Sequence, residues 1–168
     1  MQYKITFLDY WHLSSGLSGG AKYDNSVIKD DDGFPFVPGK TIKGLLREYA
    51  QGDFLQVCFG NEGDKIAQCY FNNATLSNAT KENSKNFLPH FFDFISSTKI
   101  NQNGVAEDGS LREIEVVIPL SLYGSIDNLP KEFELQMIET LKKIKRIGLN
   151  RSRGLGRCKI EIIGQYNG

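Results

Sequence analysis

Three arginines and two glycines are interleaved in the stretch NRSRGLGRC, residues 150–158. Glycine lets the backbone approach an anion closely, successive N–H groups can surround the anion, and arginine binds phosphate through paired hydrogen bonds. A tight solvated turn would explain the glycines, but it would not explain three arginines beside the basic sequence KKIKR. The stretch therefore indicates a polyanion as ligand, and RNA above all.

The overall composition hides this basic region. The chain of 168 residues has 20 Lys and Arg against 20 Asp and Glu, so its formal net charge is zero. Residues 141–168, however, contain eight basic residues and one acidic residue, a local excess of about seven positive charges, and the rest of the chain balances it. A net charge of zero therefore does not exclude a nucleic-acid partner.

A second pair of cations follows the segment FPFVPG, residues 34–39. Thr41 is the predicted N-cap of a helix that Gly52 ends, and Lys43 and Arg47 lie four residues apart on one side of it. Cations near a helix N-terminus are unfavourable with the helix dipole, so an external phosphate would complete the arrangement; a merely solvated face is the alternative. With the arginine loop, the helix would form a two-sided phosphate clamp. The apolar positions on the opposite face are Ile42, Leu45, Leu46 and Tyr49.

The chain offers little for a disulfide framework or a zinc site. Cys58, Cys69 and Cys158 are odd in number and lack CxxC spacing, and only His12 and His90 accompany them. The first residues form an alternating strand pattern rather than a signal peptide, and no apolar run approaches the roughly 18 residues of a membrane span. We expect a cytoplasmic protein with no membrane partner.

Hydrophobic periodicity predicts strand, helix, strand, strand, helix, strand. The predicted strands are residues 3–13, 68–76, 111–124 and 158–166, and residues 131–148 form the second helix. This order predicts an α+β fold with a ferredoxin-like, or RRM-like, βαββαβ core.

A polar, turn-rich stretch separates the second and third predicted strands. It surrounds one apolar patch, FLPHFFDFI, and is typical of a protruding insertion. We predict a single domain with a core of residues 1–77 and 112–168 and an insertion of about residues 78–111.

Several motifs resemble those of the RAMP superfamily of CRISPR-associated proteins, and most of all the backbone subunits of type III effector complexes. They are GLSGGAKYDNSVIKDDDGFPFVPGKTIKGLLREYA (residues 16–50), FGN (59–61), QCYFNNATL (68–76) and IGLNRSRGLGRCKIEI (147–162), about two thirds of the chain. The order of a P-G-x-[ST]-[LI]-K-G-x-x-R helix start, an F-G element and an R-x-R-G-L-G-R loop makes the combination specific.

The resemblance implies a core that binds guide RNA, copies that stack along it, and an insertion, the thumb, that kinks the guide–target duplex. Guide RNA, target RNA and other CRISPR-associated subunits, including copies of the chain or related RAMP proteins, are the implied partners. Lys43, Gly44 and Arg47 would bind the guide, and Lys40, where the family often has serine, would add a phosphate contact or only fray the helix start. The implied guide-binding residues of the loop are Arg151, Arg153, Gly154, Gly156 and Arg157.

Asp24 stands where cleaving members of the family keep an aspartate before x-V-I-[KR]-D. The resemblance implies that Asp24 is catalytic, and a weak metal ligand, in cleavage of target RNA that depends on Mg²⁺ or Mn²⁺. One carboxylate cannot form a rigid metal cage alone, and a loop-capping aspartate is the alternative. Without cleavage no cofactor is implied. His12 resembles a histidine that lies beside RNA at the end of the first strand; packing or stacking is favoured over general-base catalysis, since the sequence shows no partner base.

Four hypotheses follow. The chain binds guide RNA and cuts target RNA; it is a non-catalytic structural or capping subunit; it is a metal-independent guide-processing endoribonuclease that uses His12; or it is an RRM-like RNA binder outside CRISPR. The K-G-x-x-R helix argues against the third. The predicted third strand, EIEVVIPL, lacks the exposed aromatics that the fourth requires.

Overall fold

A computed structural model describes residues 1–16, 25–60, 66–98, 101–105 and 110–164. Within these ranges the chain forms six strands and four α-helices, joined in places by short 3₁₀ turns. In chain order they are β1 (Gln2–Phe7), α1 (Gly39–Arg47), α2 (Gly52–Phe59), β2 (Tyr70–Phe71), α3 (Asn78–Ser84), β3 (Phe92–Ser97), β4 (Arg112–Val117), β5 (Ser121–Asp127), α4 (Glu134–Lys143) and β6 (Cys158–Gly164).

Four strands form one antiparallel sheet in the order β2-β5-β1-β6. Because β5 is antiparallel to both of its neighbours, β1 and β2 run in the same direction on either side of it. This is the strand order of a split βαβ arrangement. The predicted α+β class is confirmed, and the predicted core elements follow one another in the expected order, with α2 as an additional helix.

The first strand is shorter than predicted. Tyr3, Ile5 and Phe7 alternate into the core as expected, but β1 ends at Phe7 rather than at residue 13. Beyond this point the period of two is lost, since the adjacent residues Trp11 and His12 are both buried. The Trp11 ring stacks on Phe7 with centroids 4.3 Å apart, so the chain turns over the end of the sheet instead of extending it.

The first helix begins earlier and ends earlier than predicted. It starts at Gly39, directly after Pro38, and Thr41 is not its N-cap. Proline suits this boundary because it has no N–H to leave unpaired, and the Gly39 N–H is bonded by Asn73 Oδ1 at 2.9 Å. The helix ends at Arg47, and Gly52 does not end it but begins α2, a helix that was not predicted.

The predicted third strand, residues 111–124, is wrong, because two strands of different sheets occupy it. β4 pairs with β3 in a separate two-stranded sheet, whereas β5 lies between β1 and β2. Pro119 separates them, since it has no N–H for a ladder and its exposed ring interrupts the strand. The hairpin of the insertion therefore extends to Val117, and the third core strand is β5.

The core lies between the four-stranded sheet and helices α1, α2 and α4. Aromatic rings connect these layers: Phe54 packs on Phe59, and Phe59 packs on Phe71 of β2, with centroids 5.4 Å apart in both pairs. None of the described helices is both long and apolar enough to cross a bilayer. The largest fully buried side chains include Tyr3, Trp11, Phe34, Phe54, Ile42, Leu46, Leu122, Ile126, Met137 and Leu141.

Candidate nucleic-acid interface

The two ends of the glycine-rich loop pair with each other. The Ile147 N–H donates to the carbonyl of Gly156 at 2.9 Å, and the Cys158 N–H donates to the carbonyl of Lys145 at 2.9 Å. The buried side chain of Ile147 anchors this short ladder in the core. The segment that follows α4 is therefore fixed against the start of β6.

The loop is also bonded to the turn after β1. The Leu149 N–H donates to the carbonyl of His12 at 2.8 Å, and the Gly156 N–H donates to the carbonyl of Tyr10 at 2.8 Å. Three backbone segments thus meet at the base of the loop. Its conformation is set by internal hydrogen bonds before any ligand binds.

Two of the loop glycines are required by close packing. A Cβ atom at Gly148 would lie 2.2 Å from the carbonyl oxygen of His12, and one at Gly156 would lie 2.0 Å from that of Ile147. Gly154 also has a positive φ of 88°, but a Cβ there would meet no atom within 4 Å. Of the two loop glycines predicted to bind RNA, Gly156 is buried with both backbone groups in use, and Gly154 is exposed.

The three loop arginines differ in how far their charge is compensated. Arg151 and Arg153 are exposed, and among the residues that the structure describes their guanidinium groups have no hydrogen-bond or ion-pair partner. Arg157 is paired with Asp9: Nε lies 3.1 Å from Oδ2, and Nη2 lies 3.3 Å from Oδ1. Arg151 and Arg153 therefore present the uncompensated charge of the loop.

Of the cations of α1, Lys40 and Lys43 lie along one groove, whereas Arg47 lies in the last turn of the helix, not at its start as predicted, and does not line that groove. Lys40, Gly44 and Arg47 are exposed, and Lys43 is half-buried. Lys40 and Lys43 line an open groove of about 490 Å³. Its other lining residues are Ile28, Phe36, Pro38, Cys69, Tyr70, Phe71 and Asn73.

Lys43 also acts on a thiol in this groove. The hydrogen bond from Cys58 lowers the pKa of Cys69, and the charge of Lys43 lowers it further, against the opposing effect of burial. The same interaction raises the pKa of Cys58. Cys58, Cys69 and Cys158 are all buried free thiols.

A second groove, of about 480 Å³, contains Arg151 and no residue of the first. Lys43 and Arg151 therefore line different grooves, so these two cations of the expected clamp do not share one. The residues around the second groove are Leu45, Glu48, Tyr49, Lys143, Ile144, Lys145, Arg146, Arg151 and Ser152.

Asp24 lies outside the described residues, but the segment that follows it is held firmly. Asn25 Oδ1 accepts a hydrogen bond from Ser14 Oγ at 2.6 Å. Glu115, which is 4% exposed, accepts from the Val27 N–H at 2.9 Å and from Lys29 Nζ at 2.8 Å. The sequence did not identify Glu115, because a glutamate in an alternating strand is usually on the solvent side.

His12 is fully buried and contacts the backbone of the same residue, Glu115. Its Nδ1 lies 2.6 Å from the carbonyl oxygen of Glu115, so Nδ1 carries the proton that is donated. Nε2 is buried without a partner among the described residues. Since the His12 carbonyl accepts from Leu149, this histidine connects the glycine-rich loop to β4. Within the described ranges no group of three or more His, Cys, Asp or Glu side chains could hold a metal ion.

Another contact joins the insertion to the core. Tyr10 Oη donates to Asp93 Oδ2 at 2.9 Å. The Phe94 N–H and Tyr10 both lower the pKa of Asp93, and the bond to Asp93 raises the pKa of Tyr10. The hairpin of β3 and β4 is thereby fixed to the turn that also bonds the loop.

The third strand of the sheet differs from the sequence prediction, which found no exposed aromatic residue on it. Because β5 is the third core strand, the aromatic-free segment EIEVVIPL belongs mainly to β4 and does not bear on this question. β5 carries Tyr123, which is 39% exposed and whose Cα pairs with that of Lys4 on β1. The third core strand therefore does carry a partly exposed aromatic ring, and the argument from the sequence against an RRM-like surface no longer holds.

The fold and this site define an α+β protein with a cationic glycine-rich loop between its last helix and its last strand. The family model of the RAMP superfamily matches residues 4–159, so the chain belongs to this superfamily.

Two solved structures show how far the fold is shared. The chain is similar to a chain in the cryo-EM structure of type III-B Cmr-beta bound to cognate target RNA, with a TM-score of 0.73, 11% identity, and 95% of each chain covered. It is also similar to a chain in the apo state of type III-B Cmr-beta, with a TM-score of 0.71, 13% identity, and coverage of 98% of this chain and 97% of that one. At these identities the likeness shows a common fold. A search of curated protein sequences found no match.

Proposed function

We propose that this chain is a guide-RNA-binding subunit of a cytoplasmic type III CRISPR effector complex that targets RNA. Its membership of the RAMP superfamily and a fold shared over nearly its whole length with chains of type III-B Cmr-beta support this role. One of those assemblies is bound to cognate target RNA. Copies of this chain or related RAMP proteins would be its neighbours along the guide.

The observation that carries the proposal is the pair Arg151 and Arg153 on a loop with a fixed backbone. Their charges are uncompensated among the described residues, and the ladder at Ile147 and Gly156 holds the loop in place. A phosphate can then bind without displacing an internal partner or ordering the chain, so little of the binding free energy is lost. Lys40, Lys43 and Arg47 on α1 would contact further phosphates.

Cleavage of target RNA by Asp24 is the finer part of the proposal. One carboxylate cannot form a metal cage alone, so oxygens of the RNA would complete the coordination of a Mg²⁺ or Mn²⁺ ion bound by Asp24. The bound cation would stabilise the charge that develops on the phosphate. Asn25 and Val27, which follow Asp24 in the sequence, are anchored by Ser14 and Glu115.

The burial of His12 argues against the guide-processing alternative. A general base must reach the proton that it removes, whereas His12 is fully buried and its Nδ1–H is already bonded to Glu115. A structural or capping subunit without cleavage remains the main alternative, and it differs from the proposal only in what Asp24 does.

Charge reversal at Arg153 tests guide binding. We expect Arg153→Glu to weaken RNA binding about tenfold, because a charge-assisted phosphate contact becomes a repulsion. The loss should be similar for unrelated RNA sequences, and the dependence of log Kd on log salt should become shallower by about one. Fluorescence anisotropy with labelled RNA, and the amount of RNA that co-purifies with the protein, measure this.

Lys131→Glu is the matched control, since it makes the same change in net charge at an exposed position at the other end of α4. Equal affinities for the two variants would contradict the assignment of the loop. A loss confined to one RNA sequence would contradict phosphate recognition.

A further inference from the structure

We propose that the groove between the C-terminal ends of α1 and α4 binds a short segment of single-stranded RNA. In it Tyr49 stacks a base, and Lys143, Lys145 and Arg146 contact the phosphates. This rests on the proposed function and extends the RNA-binding surface to residues for which the sequence predicted no RNA contact.

The charge of the groove favours an anion. Four basic side chains line it, namely Lys143, Lys145, Arg146 and Arg151, against the single carboxylate of Glu48. Among the residues that the structure describes, none of the four is paired with a carboxylate. An open groove with a local excess of positive charge and no internal counterions attracts a polyanion.

The helix dipole explains only part of this cluster. Lys143 lies in the last turn of α4, where a cation is favourable whatever the ligand. Lys145 and Arg146 follow the helix, and their backbone runs along the start of β6. The Lys145 carbonyl accepts a hydrogen bond from the Cys158 N–H, and the backbone of Arg146 forms an antiparallel β-bridge with that of Arg157. With Ile144 buried before them, both cations are held at the groove by the fold.

Tyr49 gives the groove a surface for a base. The spacing of apolar residues places it on the buried face of the predicted helix, but α1 ends at Arg47, and Tyr49 is 45% exposed and lines the groove. Lys143 Nζ lies over the ring, 5.8 Å from its centre, so a base would stack on the opposite face. An exposed aromatic ring next to cations is the arrangement with which proteins bind single-stranded nucleic acid without sequence preference.

Continuity with the glycine-rich loop selects RNA rather than an acidic protein. Arg151 lies on that loop and also lines the groove, so it belongs to both surfaces. A strand whose phosphate is bound by Arg151 can pass directly to Lys145 and Tyr49. An acidic protein would need no such continuity with the loop.

The experiment uses the full chain and a fluorescein-labelled oligouridylate of about 12 nucleotides, within the usual site size for single-strand binding. We expect Tyr49→Ala to raise the Kd about 5- to 100-fold, since a stacked base is lost, and Tyr49→Phe to bind like the wild type. Lys145→Glu should weaken binding more than its control Lys131→Glu and should lower the salt dependence by about one. Thermal denaturation of every variant checks that the fold is retained.

Photo-crosslinking locates the RNA independently of affinity. With 4-thiouridine in the same oligonucleotide, mass spectrometry should find the crosslink on the peptide that contains Tyr49, and Tyr49→Ala should remove it. A crosslink that appears only elsewhere would overturn the proposal.

The outcomes separate this inference from the proposed function. If Arg153→Glu weakens binding but Tyr49→Ala does not, and Lys145→Glu equals Lys131→Glu, the groove is not an RNA site and the proposed function stands. If the groove variants bind RNA normally but fail to enter the assembled complex, the groove is a protein interface and the inference is wrong. If the wild type binds no RNA, both are wrong.

Discussion

Alanine at position 24 is expected to abolish metal-dependent cleavage of target RNA by the assembled complex and to leave binding of guide RNA unchanged. Loss of a residue that only hydrogen-bonds to a metal ligand already lowers metal affinity or activity about 10- to 100-fold. Loss of the ligand itself should therefore lower the cleavage rate at least about 100-fold. Guide binding should persist because it depends on other side chains, those of α1 and the glycine-rich loop. The measurement is the rate at which a labelled, matched target is cut in Mg²⁺ or Mn²⁺, beside the amount of guide retained.

Asp31→Ala provides the matched control, since Asp31 is an exposed carboxylate of the same chain segment. Its removal should leave the cleavage rate unchanged. Asp24→Asn keeps the size and removes the charge, and it should behave like Asp24→Ala. Undiminished cleavage in either Asp24 variant would contradict the catalytic assignment. A wild-type complex that retains its guide RNA but never cuts the target would identify a structural subunit.

The second large effect is expected in stability. Gly156→Ala should destabilise the chain by about 2–4 kcal/mol and lower its Tm by roughly 5–15 °C. The new Cβ would lie 2.0 Å from the carbonyl oxygen of Ile147, at a φ of +72° that is unfavourable for an L-residue. Relieving this contact would separate the two ends of the loop that the Ile147 hydrogen bond joins. Thermal denaturation followed by circular dichroism measures the change.

Gly154→Ala separates the cost of the left-handed backbone from the cost of the close contact. It has the same left-handed backbone, with φ of +88°, but open space around the new Cβ, so it should cost only about 1 kcal/mol. Equal stabilities of the two variants would contradict the close packing at Gly156. RNA binding should fall with Gly156→Ala even below its Tm, because Arg151 and Arg153 would lose their fixed support.

Much of the fold could be predicted because its signals are local. The alternation of Tyr3, Ile5 and Phe7 predicted β1, and the spacing of Ile42 and Leu46 predicted α1, since each pattern follows from the period of one element. The same local rules failed where a partner decides the outcome. Residues 111–124 show one continuous strand pattern, and pairing with β3 on one side of Pro119 and with β1 and β2 on the other divides it.

In the candidate site, too, some residues could be predicted from local sequence and others depend on tertiary contacts. The arginines and glycines of the loop could be found from residue types and order alone, because phosphate recognition needs those types close together. Glu115 and Tyr49 could not be found: one is a buried carboxylate in a strand pattern, and the other is an exposed ring at an apolar helix position. Their burial or exposure is decided by chain segments that are distant in the sequence, and the spacing of residues carries no information about those segments.

The sequence by itself determined the α+β class, the RAMP resemblance, and the cationic character of the two candidate RNA-binding segments. Each of these depends on residue identity and short-range order, which folding does not alter. Only the tertiary structure decided which cations share a groove, which of the loop arginines is paired with Asp9, and why Gly156 must be a glycine. The physical reason is that charge compensation and close packing depend on distances between chain segments, and those distances exist only after the sheet and helices have packed.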